Sequence, residues 1–483
     1  MPEKVCHRAC RVGQADHQRS ITDIHKKNVA QFFASNYPRY PKRASKLDVR
    51  PIISTNDIMR TFTVHRGSVF MLFAALVCLF PQFALAEGES VEASSSESIS
   101  TTSSAPVAGE NLGTGIFSRI PFQISATVRA GYDDNVSTTN FDKQGSFFTT
   151  AGLALTYSFG TPRTTLSLGT NFGFTYYADQ GAFSEGNNAF EPNLNLTLNL
   201  SHKATPRLSF KEELYTTYQA EPDFTIAQGI NRRGGNFFFI RNQFTTIYLW
   251  TPRFSTATSY SVTRLQYDES AIGAFEDRFE NTIGNEFRFL VLPTTLLVAE
   301  YRFGVVSYDS ISRDSTTHYF LGGLDHKFNP RLSGSFRGGV EVRDFESSGS
   351  HTSPYFEGTL EYALGKDTAI SWTNRYSIEE SDAQVSQGRR TFRTGLQGKH
   401  NFTARISGSF GVYYEHDDYL DFGIPGVNTS FTEESVDVSL SLRYAVTRYL
   451  GIEAGYSHTE VTSDFAIREY SRNRFWGGLN LAF

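Results

Sequence analysis

Residues 193–210 read NLNLTLNLSHKATPRLSF. Leu194, Leu196, Leu198 and Leu200 alternate with Asn193, Asn195, Thr197 and Asn199. This is the period of two that sends successive side chains to opposite faces of a β-strand. Such a strand packs its leucines on a protein core or turns them to lipid. The run breaks at Ala204-Thr205-Pro206-Arg207, where proline presets a turn dihedral and needs no ladder partner.

The same grammar fills the chain from about residue 120 to its end. Phe122, Ile124, Ala126 and Val128 alternate with polar residues, as do Leu153, Leu155, Tyr157 and Phe159, and later Val436, Val438, Leu440 and Leu442. No stretch has a convincing helical period. The breaks recur at Thr161-Pro162-Arg163, Thr205-Pro206-Arg207, Thr251-Pro252-Arg253, Leu292-Pro293-Thr294 and Asn329-Pro330-Arg331. Gly365-Lys366-Asp367, Thr403-Ala404-Arg405 and Val446-Thr447-Arg448 occupy equivalent places. The repeat, of about 40 residues, is one hairpin and one loop. Longer polar loops at 178–188, 220–235, 378–390 and 416–430 lie between the tight turns.

Short turns at one end and long loops at the other are the construction of an outer-membrane barrel. Lipid cannot hydrogen-bond backbone groups, so strands that cross it must close on themselves. Eight tight turns join sixteen strands; a first strand at about 120–132 and a last at about 471–483 make eighteen. The expected fold is all-β, a transmembrane antiparallel up-and-down barrel over 119–483. A soluble β-solenoid or sandwich is the bland alternative. Tyr176, Tyr218, Trp250, Tyr260, Trp372, Tyr376 and Tyr444 lie near strand ends, where interfacial girdles form.

The N-terminal part has another texture. Met59–Ala86 carries Arg60 and Arg66, then the apolar run Ser68–Phe80, then Ala84-Leu85-Ala86. That is the pattern of a secretory signal peptide, the alternative being an uncleaved anchor. Residues 1–58 are basic and patternless, an over-extended or disordered start, or an unusually long basic leader. Residues 87–118 are Ser-rich and acidic and are expected to be a disordered periplasmic linker. All three cysteines precede Ala86, so the exported part is no disulfide scaffold. Thirteen of the 45 bases but only five of the 50 acids precede residue 87, leaving a net charge of −13 beyond it. That balance disfavours nucleic acid as a partner.

Strand parity puts both signs of charge inside. The pore-lining candidates are Arg129, Lys211, Glu213, Arg241, Glu286, Arg288, Glu300, Arg302, Arg337, Glu341, Arg375, Arg393, Lys399 and Arg443. Their functional reading is a hydrated lumen whose field sorts solutes; their bland reading is a wall of cross-strand ion pairs. No connection exceeds about twenty residues, so no separate plug domain is expected. The loop EPDFTIAQGINRRGG is the candidate constriction, with Arg232 and Arg233 facing the pore, or else an ordinary surface loop. Acidic clusters such as Glu415-His416-Asp417-Asp418 lack the ligand spacing of a calcium loop. No nucleophile elbow, zinc motif, dinucleotide fingerprint or phosphate loop occurs, and the expectation is no enzyme, metal or cofactor.

Residues 475–483, FWGGLNLAF, end on an aromatic, Phe483. This resembles the C-terminal signature of bacterial outer-membrane proteins, which implies that the barrel-insertion machinery reads Phe483. The segment ATVRAGYDDNVSTTN at 126–140 resembles the opening of the putative β-barrel porin 2 family, in which a Gly/Tyr-Asp-Asp-Asn motif follows the first strand. The resemblance implies an outer-membrane barrel, with some members linked to exopolysaccharide export. Two functions follow as expectations: a porin-like channel for hydrophilic solutes, and a polysaccharide export channel with Tyr177, Tyr215, Tyr319, Tyr355 and Tyr413 as sliding surfaces. Outer-membrane lipid and lipopolysaccharide are the expected surroundings.

Overall fold

The computed structural model describes residues 122–179, 190–225, 229–421 and 429–483. The expected leader at 59–86 and the segments 1–58 and 87–118 lie outside the described residues, as do parts of the loops expected at 178–188, 220–235 and 416–430.

Eighteen strands follow one another along the chain. The first six are β1 (Phe122–Asp133), β2 (Ser146–Gly160), β3 (Thr164–Tyr177), β4 (Phe190–Lys203), β5 (Leu208–Gln219) and β6 (Phe237–Thr251). Next come β7 (Phe254–Tyr267), a short helix α1 (Ser270–Glu276), β8 (Arg278–Leu292), β9 (Thr295–Tyr308), β10 (Ser315–Asn329), β11 (Leu332–Phe345) and β12 (Gly349–Leu364). The last are β13 (Thr368–Glu379), β14 (Ser386–Asn401), β15 (Ile406–Asp421), β16 (Phe431–Ala445), β17 (Leu450–Ser463) and β18 (Tyr470–Ala482). Each pairs antiparallel with the next, and β1 closes the ring on β18 from Ser125↔Ala482 to Asp133↔Arg474. Closure leaves no strand edge unpaired.

Most of the tight turns share one device, a Thr or Asn side-chain oxygen that accepts backbone amides. Thr205 Oγ1 accepts the Arg207 and Leu208 amides at 3.2 and 3.0 Å. Thr251 does the same for Arg253 and Phe254, and Thr403 for Arg405 and Ile406. Asn329 Oδ1 accepts the Arg331 amide at 2.8 Å. The alternation that begins at Asn193 therefore stops where a threonine hydroxyl takes over the backbone donors.

The leucines of β4 lie on the outer face. Leu194 is registered with Phe172, and Leu198 with Leu168 and Leu214; Phe172 is 44% exposed and Leu153, across from it on β2, 50%. Leu196 shares this face but is only 7% exposed, so it is packed within the outer layer as well as directed at lipid. The clusters of buried apolar side chains found among the described residues all lie at the long-loop end. The largest joins Ile230, Phe237, Phe239, Leu265 and Tyr267.

Strands on the far side run further than their apolar alternation suggests. The loop expected at 378–390 is only residues 380–385, and the expected loop from 416 begins inside β15. The acidic run Glu415-His416-Asp417-Asp418 is strand, with Glu415 and Asp417 buried inward. Above the bilayer the outward residues face water, so alternation loses its apolar half while the hydrogen-bond ladder continues.

Candidate pore constriction

The connection between β5 and β6 enters the lumen. Gly229 and Gly235 take φ values of +75° and +128°, the left-handed region that glycine tolerates, and they bracket the inward segment. Ile230 anchors it in the apolar cluster with Phe237, Phe239, Leu265 and Tyr267, with Ile272 of α1 packed alongside. Its polar groups reach the opposite wall. Asn231 Nδ2 donates to Glu415 Oε1 of β15 at 2.9 Å, and Tyr470 of β18 donates its hydroxyl to the Asn231 carbonyl at 2.7 Å. Arg393 of β14 donates to the Phe224 carbonyl at 3.1 Å. In a ring of eighteen, the β5–β6 hairpin and the β14–β15 hairpin are diametrically opposed. The segment therefore spans the bore.

Arg232 and Arg233 are the charged ends of this span. Arg232 pairs with Glu433 of β16 at 3.0 Å and lies 3.7 Å from Asp382. Arg233 pairs with Glu191 of β4, donates to the Val136 carbonyl at 3.1 Å and stacks over Tyr177. Neither is a free surface charge: their side chains are 18% and 6% exposed.

Around them lies a network that the alternation pattern does not reveal. Arg468 joins Asp382 and Glu433 at 2.8 and 3.0 Å. Arg389, fully buried, joins Asp417 at 2.7 Å and Glu415 at 3.3 Å. Arg313, also fully buried, donates to the Ser381 carbonyl at 2.8 Å and the Phe275 carbonyl at 3.1 Å. Buried charges persist only when paired and hydrogen-bonded, and here the partners come from strand ends and loops of several hairpins. Asp382 is pushed up by burial, but Arg468, Arg389 and Arg232 outweigh this and hold it well below the usual carboxylate range.

Glu221, at the root of the span, faces Tyr177 of β3, Arg233 of its own loop, and Arg472 and Arg474 of β18. Burial pushes its carboxyl up, yet Arg472 and Arg474 more than reverse this and bring it down to about 2. A depressed carboxylate stabilises the tethered state above its free value and ceases to as pH falls through the tethered value. Conductance should therefore rise as pH falls from about 4.5 toward 2, with up to ~3 kcal/mol of tethering lost. Asp223, which burial raises, works in the opposite sense. Glu221→Gln is the control: its conductance should lack that acid limb, and an unchanged pH profile would remove Glu221 from the tether.

The remaining candidates sit on the barrel strands, most of them paired. Arg302 binds Glu300 at 3.0 Å through Nη2 and also pairs with Glu357. Arg337 lies 2.7 Å from Asp325 and 3.7 Å from Glu286, and Arg288 is 2.7 Å from Glu286. Arg129 pairs with Glu453 at 2.6 Å and sits over Trp476, while Arg443 donates to Asn480 at 2.7 Å. Arg375 is 3.7 Å from Glu379, and Arg393 is 3.3 Å from Glu415. Glu341 is fully buried and accepts the Ile378 amide. Lys211 and Glu213 lie opposite Thr245 and Gln243 in the β5–β6 register. Arg241 and Lys399 form no ion pair with any described residue.

The Tyr-Asp-Asp-Asn segment also has a definite place. Asp133, fully buried, receives Arg472 Nε at 3.0 Å and Arg474 Nε at 3.2 Å. Asp134 accepts the Asn473 amide at 2.6 Å, and Asn135 donates to the Ser471 carbonyl at 3.0 Å. The motif clasps the β1–β18 seam. Phe483, at the other end of that seam, exchanges backbone hydrogen bonds with Ile124 at 2.8 and 3.3 Å.

A closed barrel of eighteen strands, apolar outside and charged inside, defines a porin-type channel of the outer membrane. The chain belongs to the family described as putative beta-barrel porin 2, whose sequence profile matches residues 121–483. No curated protein matches the sequence. Similar solved structures include Pseudomonas aeruginosa OpdK with vanillate, at 12% identity and a TM-score of 0.40, covering 75% of this chain and 99% of that one. P. aeruginosa OccK2 in complex with glucuronate has 11% identity and a TM-score of 0.41, covering 75% and 98%. Acinetobacter baumannii OccAB3 has 13% identity and a TM-score of 0.39, covering 75% and 99%.

Proposed function

We propose that the barrel is a narrow passive channel for small hydrophilic solutes, its bore limited at the outer mouth by the segment between β5 and β6. The observation that carries this is the span itself: Asn231 and Arg232 arise on one wall and bond to β15 and β16 on the other. A polymer needs a continuous bore, which a tethered crossing interrupts. The tyrosines suited to a sugar track are engaged elsewhere: Tyr177 on Glu221, Tyr355 on Glu357 and Tyr413 on Gln397. The geometry thus favours solute diffusion over polysaccharide export. The paired wall charges would leave little net field, so selection by size dominates selection by sign.

Swelling of proteoliposomes tests the reading. Monosaccharides and amino acids should enter quickly and long oligosaccharides hardly at all. Equal rates for both would sink the narrow-channel reading, and a strain that loses its surface polysaccharide on deletion would favour export instead.

A further inference from the structure

The opposite rim has a different electrostatic character from the mouth. Seven of the eight tight turns carry an exposed base: Arg163, Arg207, Arg253, Arg331, Arg405, Arg448 and Lys366, against one acid, Asp367. None of the seven forms an ion pair with a described residue, whereas the arginines of the constriction are buried and paired. Five of them stand two residues after the Thr or Asn that opens the turn, so one turn geometry presents all five guanidinium groups alike.

What lies just inside this ring indicates what it faces. Outward aromatics adjoin the bases: Phe159, Trp250, Phe328, Phe402 and Tyr449 are all exposed, and Arg448 lies 4.6 Å over the Tyr449 ring. Outward histidines end β4, β10 and β14, with His202, His326 and His400 hydrogen-bonded through Nδ1 to Thr164, Thr295 and Thr368. Amphipathic rings of this kind sit at headgroup level, where Trp and Tyr belts mark the membrane interface. The bases one turn beyond reach the phosphates. A guanidinium matches a phosphate in charge and fork geometry, and basic residues at a bilayer surface recruit anionic lipid.

We propose that the tight-turn rim is a docking ring for the phosphate groups of anionic phospholipids in the inner leaflet of the outer membrane. The proposal rests on the porin orientation above, with tight turns toward the periplasm. A single acidic protein would engage one arc; bases on seven turns around the circumference match an annulus of lipid.

The test uses the full barrel in vesicles of phosphatidylglycerol and phosphatidylcholine in equal parts, followed by extraction with its nearest lipids in polymer nanodiscs. Phosphatidylglycerol should be enriched in the retained lipid, its ratio to phosphatidylcholine rising from 1:1 to roughly 5:1 at each site an arginine occupies. The variant R163Q/R207Q/R253Q/R331Q/R405Q should retain lipid at the input ratio, and the matching five-lysine variant should keep the enrichment. Heat-modifiable gel migration verifies that each variant is folded. Input-ratio lipid around the wild type, or enrichment that survives in the glutamine variant, overturns the proposal. Loss of enrichment on adding inorganic phosphate would reveal generic anion binding and overturns it too. Ion conductance of the same preparations reports on the channel reading separately: a barrel that enriches phosphatidylglycerol yet conducts nothing refutes the channel and leaves the ring standing.

Discussion

An Arg232→Ala, Arg233→Ala double variant should conduct several-fold more current per channel than the wild type. Each arginine ends the span on buried carboxylates, Glu433 and Glu191, whose side chains are 0% and 11% exposed. Removing one partner of a buried pair costs about 3–5 kcal/mol where the other charge is left without compensation, as at Glu191; Glu433 keeps Arg468, so the loss there is smaller. The Glu191 loss, with both carboxylates near Arg232 also deprived of it, exceeds what the Asn231 and Tyr470 hydrogen bonds supply at about 1 kcal/mol each and leaves this end of the span held mainly by Ile230, its root still fixed by Glu221. The span should detach while the barrel, held by its backbone ladder, persists. Single-channel recordings decide the matter: unchanged conductance would mean that the narrowest point lies elsewhere.

Leu153→Arg should prevent assembly. Leu153 is at the centre of β2, faces outward and is 50% exposed. A charge on the lipid face near the bilayer midplane costs about 2–4 kcal/mol. Leu196→Arg should be worse, since that side chain is also packed among its outer neighbours. Asn195→Arg, one residue away and directed inward, should assemble normally and alter conductance. Outer-membrane fractionation with heat-modifiable migration separates these outcomes. Equal yields from all three variants would reverse the assignment of faces.

These contrasts mark what a linear sequence discloses. Strand number and turn position are legible because lipid forces apolar residues onto every second position, and because short turn sequences, three of them Thr-Pro-Arg, recur between the alternating runs. Parity alone names the charged residues expected on the inner face. The span is not. Arg232-Arg233 beside two glycines is also the composition of an exposed loop, and its partners Glu191, Asp382, Glu415 and Glu433 sit in other hairpins. Arg313 and Arg389 escape notice for the same reason: above the bilayer no solvent imposes a pattern on the chain. The Asp133-Asp134 pair stands out in sequence as an acidic patch, but only its contact with β18 explains why it is there.

That contact ties the first hairpin to the last strand. Arg472 and Asp133 are 339 residues apart, as are Asn473 and Asp134. Bringing such distant groups together carries the full entropy cost of closing the chain, which the local hairpins have already reduced by the time the two ends meet. The clasp is therefore a checkpoint on completeness. A chain cut short before Arg472 can form every hairpin up to β17 and still leaves a dehydrated carboxylate at position 133 without its cations. Such a product stays an open sheet, unable to seal, and so remains distinguishable from a finished barrel before it is released into the membrane.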